Sequence, residues 1–212
     1  RRCCSSRGYD GRCCCWIGRN LGPRALNHHP MLHRAQIKHC KACGVAVQYR
    51  LPDDGDTRLR AVCPACHTVH YENPLNVVGT IPIWKEKVLL CKRNIEPRLG
   101  KWTLPAGFME LGETLAQGAA RETLEEAGAQ FEMQALFSIM NVVRVGQIHF
   151  FYRARLTSES FNPGHETMEA RLFDEQDIPW DEIAFRTVKE TLKRYFADSK
   201  TKNYALHQMD IE

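Results

Sequence analysis

The chain has 212 residues, 43% of them hydrophobic, and a formal charge of +4. That length holds one generous domain, or one domain with a small appendage, and enough apolar residues for a proper core. No apolar run approaches the roughly 18–20 residues of a membrane helix, which excludes a helical span. The net charge also gives no case for a nucleic-acid partner: residues 1–30 carry six arginines against Asp10, leaving 23 basic and 24 acidic side chains from Met31 onward.

Residues 1–37 read as a leader. The first thirty hold Cys3, Cys4 and the run Cys13-Cys14-Cys15 but little apolar periodicity. A secretory signal needs an apolar stretch of about 7–15 residues, which is missing, whereas an Arg-rich, acid-poor segment also suits a transit peptide. Adjacent cysteines pair poorly with each other, which argues against a disulfide scaffold. The expectation is a disordered tail or an over-extended reading frame, with translation starting at Met31.

Residues 38–74 carry a stronger signal. Cys40, Cys43, Cys63 and Cys66 form C-x2-C-x19-C-x2-C, a spacing that indicates a zinc site. Each C-x2-C pair bends into a knuckle that aims two thiolates at one ion, and two knuckles close a tetrahedron. Between them "VAVQY" reads as a strand and "PDDGD" as a turn, so a small β zinc ribbon is expected. His67 and His70 are nearby as substitute ligands, but four thiolates fill a structural site and leave no open position. The ligands must stay reduced, which argues for a cytoplasmic location.

From residue 75 to 200 a mixed pattern follows. "LNVVGTIPI" and "KVLLCKR" read as strands, with Cys91 a core position. "TLAQGAARETLEEAG" reads as a helix capped by Thr114 and ended by Gly128. "ALFSIMNVV", "QIHFFYRARL" and "EARLF" are further strands. A last helix is expected over 180–198, with Phe185, Val188, Leu192 and Tyr195 as its apolar stripe. Residues 201–212 read as a C-terminal tail. Strands with few helices predict an α/β fold built as a sandwich around a mixed sheet.

Within the first of these helices the octet "RETLEEAG" crowds Glu122, Glu125 and Glu126 onto one face. Like charges three and four residues apart cost a helix a few tenths of a kcal/mol. A solvated acidic surface is one reading. The other is a hard-oxygen site for Mg²⁺ or Mn²⁺, which bridge to substrate phosphates.

The wider pattern, Gly107-x5-Glu113-x7-Arg121-Glu122-x2-Glu125-Glu126-x-Gly128, resembles the Nudix box of the Nudix hydrolase superfamily. Two positions depart from it: Thr123 stands where an aliphatic residue is usual, and "PAG" at 105–107 replaces "PGG". The resemblance implies an α/β/α sandwich and metal-dependent hydrolysis of nucleoside diphosphate derivatives. It implies divalent metal on Glu122, Glu125 and Glu126 and on the main-chain carbonyl of Ala106 or Gly107. Arg121 then pairs with an acid of the box, and Glu113 is either that partner or an outer ligand. A catalytic base lies in the box or in a later loop, where Glu166 and Glu169 are the candidates; Glu166 is preferred, because Pro163-Gly164 before it allows it to swing inward. A ribbon joined to such a domain resembles the group holding NADH pyrophosphatases and FAD and ADP-ribose pyrophosphatases. The NADH signature S-Q-P-W-P-F-P-x-S is absent, and "GKWTLPAGF" looks closest to the FAD/ADP-ribose type. Trp102, Phe108 and Phe150 or Tyr152 are candidates to stack on adenine or flavin, and each serves equally as core. The alternatives are a different dinucleotide as substrate, or a ligand-sensing or nucleic-acid-binding protein without turnover. A homodimer is compatible with the sequence and not specified by it.

Overall fold

The computed structural model describes residues 36–212. The leader expected over 1–37 and its Met31 start therefore lie almost entirely outside the described residues.

The first unit of structure is the ribbon. β1 (Gln48–Arg50), β2 (Arg60–Val62) and β3 (Val69–His70) form an antiparallel sheet in the order β1-β2-β3. Both knuckles turn through left-handed backbone. Gly44 takes it after the first pair, with φ +76, and its N–H donates to Cys40 O at 2.9 Å. His67 takes it after the second, with φ +58, and donates to Cys63 O at 3.1 Å.

The larger sheet has eight strands. They are β4 (Leu75–Trp84), β5 (Lys87–Arg93), β6 (Trp102–Thr103), β7 (Ala106–Phe108), β8 (Phe131–Val142), β9 (Gln147–Leu156), β10 (Thr167–Phe173) and β11 (His207–Asp210). The order is β10-β5-β4-β9-β8-β11, with β6 on β5 and β7 on β4. β4 with β9 and β8 with β11 are parallel and the other pairs antiparallel, so the sheet is mixed.

The helices α1 (Leu115–Ala127) and α2 (Arg186–Thr201) cover opposite faces. β5 explains why. Val88 and Leu90 join the cluster with Val188, Leu192, Tyr195 and Phe196 of α2. Leu89 and Cys91 join the cluster with Ala127 of α1. Successive strand residues point to opposite faces, so a strand buried on both must be apolar throughout. This is the α/β/α sandwich expected.

α1 begins and ends where its sequence directs. The Thr114 side chain accepts from the Gln117 N–H at 3.2 Å, and the Thr114 N–H donates to Gln117 Oε1 at 2.8 Å. This reciprocal box satisfies two otherwise orphaned donors. Gly128 closes the helix in the left-handed region.

Two expectations need correction. The last helix starts at Arg186 rather than 180, after a 3-10 turn over Trp180–Glu182. The Ala184 N–H is taken by Trp102 O at 2.8 Å and Ile183 bridges Trp102, so the chain stays extended up to Phe185. Residues 201–212 are not a tail beyond the domain, because β11 within them pairs with β8 along His207–Asp210. No helix among the described residues is long and apolar enough to cross a membrane.

Candidate metal and hydrolytic site

A fork in the sheet builds the site. β4 pairs with β5 only at Ile83 and Trp84. Towards the start of β4 the two strands part, and β7 occupies the gap, setting Gly79 opposite Ala106 and Val77 opposite Phe108. Gly79 is required there, since a Cβ would collide with Ala106 and the Pro105 carbonyl. The fork presents the backbone of Ala106 and Gly107 to α1. The Ala106 N–H donates to Glu126 Oε2 at 3.1 Å. A Cβ on Gly107 would strike the Glu122 carboxylate. Glycine leaves room here for that carboxylate and serves no unusual φ.

Glu126 is 7% exposed. Burial pushes its carboxyl up to about 8, opposed by the Ala106 N–H and reinforced by the charge of Glu122. Glu122 is also raised, chiefly by burial, against its bond to Arg121. Desolvation disfavours an anion without a compensating cation.

Arg121 spends all five of its N–H donors on the protein. Nε donates to Glu113 Oε2 at 3.1 Å and Nη2 to Glu113 Oε1 at 2.9 Å. Nη1 reaches Glu122 at 2.7 Å and Glu125 at 3.1 Å, and Nη2 also reaches Phe108 O at 3.1 Å. Glu113 thus pairs with Arg121, and its pKa is lowered first by Arg121 and then by the Glu110 N–H. Gly118 leaves it room, since a Cβ there would meet Glu113 Oε1.

Five carboxylates therefore gather around one end of the sheet: Glu113, Glu122, Glu125, Glu126 and Glu166, whose charge acts on both Glu122 and Glu126. The nearby cations are Arg121 and Arg93, the latter acting on Glu126 while its Nε donates to Pro97 O at 2.9 Å. Anionic charge exceeds cationic charge, and the donors are hard oxygens, so the residues fit a small divalent cation. They do not converge as tightly as ligands already closed on an ion. Among the described residues only the four ribbon cysteines bring three or more ligand atoms within 4.8 Å of one another.

That cysteine cluster suits zinc. Cys40 and Cys66 sulfurs lie 3.6 Å apart, and those of Cys43 and Cys63 3.4 Å. A tetrahedron with Zn–S bonds of about 2.3 Å has edges of roughly 3.8 Å. His67 and His70 stand outside the cluster. His67 serves the turn, and His70 is buried with Nε2 lacking a hydrogen-bond partner.

The aromatic candidates divide. Trp102 is 6% exposed, packs edge-on against Phe173 at 4.9 Å and lies beneath the Arg171 guanidinium at 5.0 Å. The expectation that it stacks on a ligand is corrected: its ring is a core element. Phe108 is 52% exposed at the carboxylate end. Phe150 and Tyr152 are half-buried on the face of β9 shared with Leu156, which packs with Ala127. Glu169 pairs with Arg171 at 3.6 Å on β10, opposite Lys92. Sequence reasoning missed the Ala106 N–H, the Phe108 carbonyl, Arg93 and Asn94. Main-chain groups leave no side-chain signature, and Arg93 at the end of β5 and Asn94 just after it belong to no spaced motif.

Comparison with known proteins agrees with this architecture. A model described as NUDIX domain matches residues 74–195, and one described as Nudix N-terminal matches residues 38–72. A crystal structure of a NUDIX hydrolase from Nitrosomonas europaea is 51% identical with a TM-score of 0.79, covering 82% of this chain and 99% of that one. The NAD-capped RNA hydrolase NudC of Photobacterium profundum is 32% identical over 70% of this chain, which spans only 53% of that protein's length. An ADP-ribose pyrophosphatase from Methanocaldococcus jannaschii is 29% identical over 51% of this chain and 67% of its own. The box geometry, the ribbon and these matches together make the chain a member of the Nudix hydrolase family, with that family's N-terminal zinc-ribbon module.

Proposed function

We propose that this protein hydrolyses the pyrophosphate bond of a nucleoside diphosphate derivative, ADP-ribose or FAD, and releases AMP. Glu122, Glu125, Glu126 and the main-chain carbonyl of Ala106 or Gly107 would hold Mg²⁺ or Mn²⁺, and Cys40, Cys43, Cys63 and Cys66 would hold a structural Zn²⁺. The observation that carries this reading is the excess of partly buried carboxylate over cation where β7 meets α1. Bound divalent ions supply neutralisation of the bridging phosphate oxygens and acidification of water.

The protein's own groups have separable tasks. Arg121, with every donor used internally, shapes the site and is not free to grip substrate. Glu166, on the neighbouring loop, is read as the base that takes the proton of the attacking water. Glu169, paired with Arg171 on β10, is not needed for that role. Phe108, exposed on β7 beside the box carboxylates, is read as the ring that meets a base or flavin. The relative named ADP-ribose pyrophosphatase supports the substrate class.

A second reading has its own support, since the relative from Photobacterium profundum is named an NAD-capped RNA hydrolase. It would put an NAD-type pyrophosphate in the same site. One panel decides: ADP-ribose, FAD, NADH, NAD-capped RNA, diadenosine polyphosphates and dNTPs, each with Mg²⁺ or Mn²⁺. The expected result is highest kcat/KM on ADP-ribose or FAD, with AMP formed. A tenfold advantage for any other substrate, about 1.4 kcal/mol in the barrier, overturns the substrate assignment. No turnover on any of them would support a ligand-sensing role.

A further inference from the structure

Glu166 ends the connection from β9 to β10, and this segment is fastened on two sides. On the helix side, the Asn162 N–H donates to Ala127 O at 3.1 Å. Two glycines allow backbone to lie on backbone there. A Cβ on Gly128 would collide with the Asn162 carbonyl, and a Cβ on Gly164 with the Glu125 carbonyl. On the strand side, Asn94 follows directly after β5. Its backbone N–H donates to Glu166 O at 2.7 Å and its Nδ2 to His165 O at 2.9 Å. The turn is closed by the Thr167 N–H on Gly164 O at 3.0 Å.

These contacts run against the expectation that Pro163-Gly164 is a hinge. Gly164 has no left-handed φ to provide. What it provides is the absence of a side chain where the loop touches the last turn of α1, the helix that bears Glu122, Glu125 and Glu126.

We propose that Gly164 and Asn94 are positioning residues for hydrolysis: they clamp the 162–166 turn between α1 and the end of β5, so that the Glu166 carboxylate is held against the box glutamates rather than swinging in. The inference rests on the reading of Glu166 as the base. A proton acceptor must lie within hydrogen-bond reach of the water it serves. A misplacement near 1 Å costs on the order of 10²-fold in rate. A turn fixed to two rigid elements avoids that loss.

The test uses the full chain, Mg²⁺ and the best substrate of the panel. Glu166→Gln, Gly164→Ala, Asn94→Ala and the two doubles with Glu166→Gln are compared. Glu166→Gln should lower kcat by about 10²-fold or more. Gly164→Ala and Asn94→Ala should each lower kcat by roughly 5–100-fold, with KM within about twofold. In the Glu166→Gln background neither should cost anything further, because there is no base left to misplace. Asn94 is exposed, so its variant keeps the question answerable if Gly164→Ala does not fold. Wild-type kcat in Asn94→Ala and in any folded Gly164→Ala overturns the clamp, as does an equal loss with and without Glu166. Wild-type kcat in Glu166→Gln instead removes the base reading, and the clamp with it.

Discussion

Arg121 and Glu113 face each other through two hydrogen bonds, Nε to Oε2 at 3.1 Å and Nη2 to Oε1 at 2.9 Å. The pair joins the loop before α1 to the second turn of that helix. The other guanidinium donors run to Glu122, Glu125 and the Phe108 carbonyl, so one side chain ties loop, helix and β7 together. Lysine has neither the planar fork nor five donors. Arg121→Lys should cost about 1–3 kcal/mol, and Glu113→Gln less. The double variant should cost clearly less than the two singles added. Urea denaturation of all four proteins measures this, and strict additivity would refute the coupling.

Glu122→Gln and Glu126→Gln should each reduce kcat by roughly 10²–10⁴, taking the range of acid–base losses as the scale for a misplaced nucleophile. Folding should survive, because each change removes one of several crowded like charges. Near-normal turnover of either variant at saturating Mg²⁺ would contradict the metal assignment.

Thr123, a departure from the aliphatic residue usual in the box, is explained by Thr80. The Thr123 hydroxyl donates to Ala119 O at 2.7 Å, so at 2.7 Å from Thr80 Oγ1 it must accept the Thr80 proton. Both side chains are fully buried. Thr123→Val should cost about 1–3 kcal/mol by stranding the Thr80 hydroxyl. Adding Thr80→Val should recover much of it, since an apolar pair leaves nothing unsatisfied. Thermal unfolding of the double variant below both singles would refute this account.

Cys40→Ser or Cys63→Ser should abolish zinc by elemental analysis and unfold the ribbon, because such modules owe their folding free energy to the metal. Metal-dependent turnover of the larger domain should persist in part. Wild-type protein that carries no zinc when purified without added metal would count against the site.

His149 supplies a pH dependence. Burial pushes its imidazole down to about 4, and its Nε2 lies 3.0 Å from Gln147 Oε1. A histidine with a lowered folded pKa is neutral in the fold while the unfolded chain takes up a proton below about 6.5. Its contribution is therefore full above 6.5 and is lost as pH falls through 4. Between those limits the stability of His149→Phe should fall less steeply than that of wild type. Parallel Tm-versus-pH curves would exclude the role.

Features that depend on short spacing were legible in the chain. The cysteine pairs, the Thr114 and Gly128 limits of α1 and the glutamate face are all set within a few residues, where helix and knuckle geometry repeat reliably. The apolar run of β5 read as a strand with Cys91 in the core, and Cys91 is buried in it; its burial on both faces came from the fold. Features that depend on distant segments meeting emerged with the fold. The fork that inserts β7 against β4 needs Gly79 and Ala106 to touch across 27 positions. Trp102 read equally as a ligand platform and as core, and Phe173 and Arg171 enclose it. Gly164, read as a hinge, proved to be a contact with Glu125. β11 lay in what looked like a tail, because a short edge strand has too few residues to display a period and is chosen by its partner β8. Local propensity names the pieces, but close approach between backbones is a pairwise property that no single segment carries.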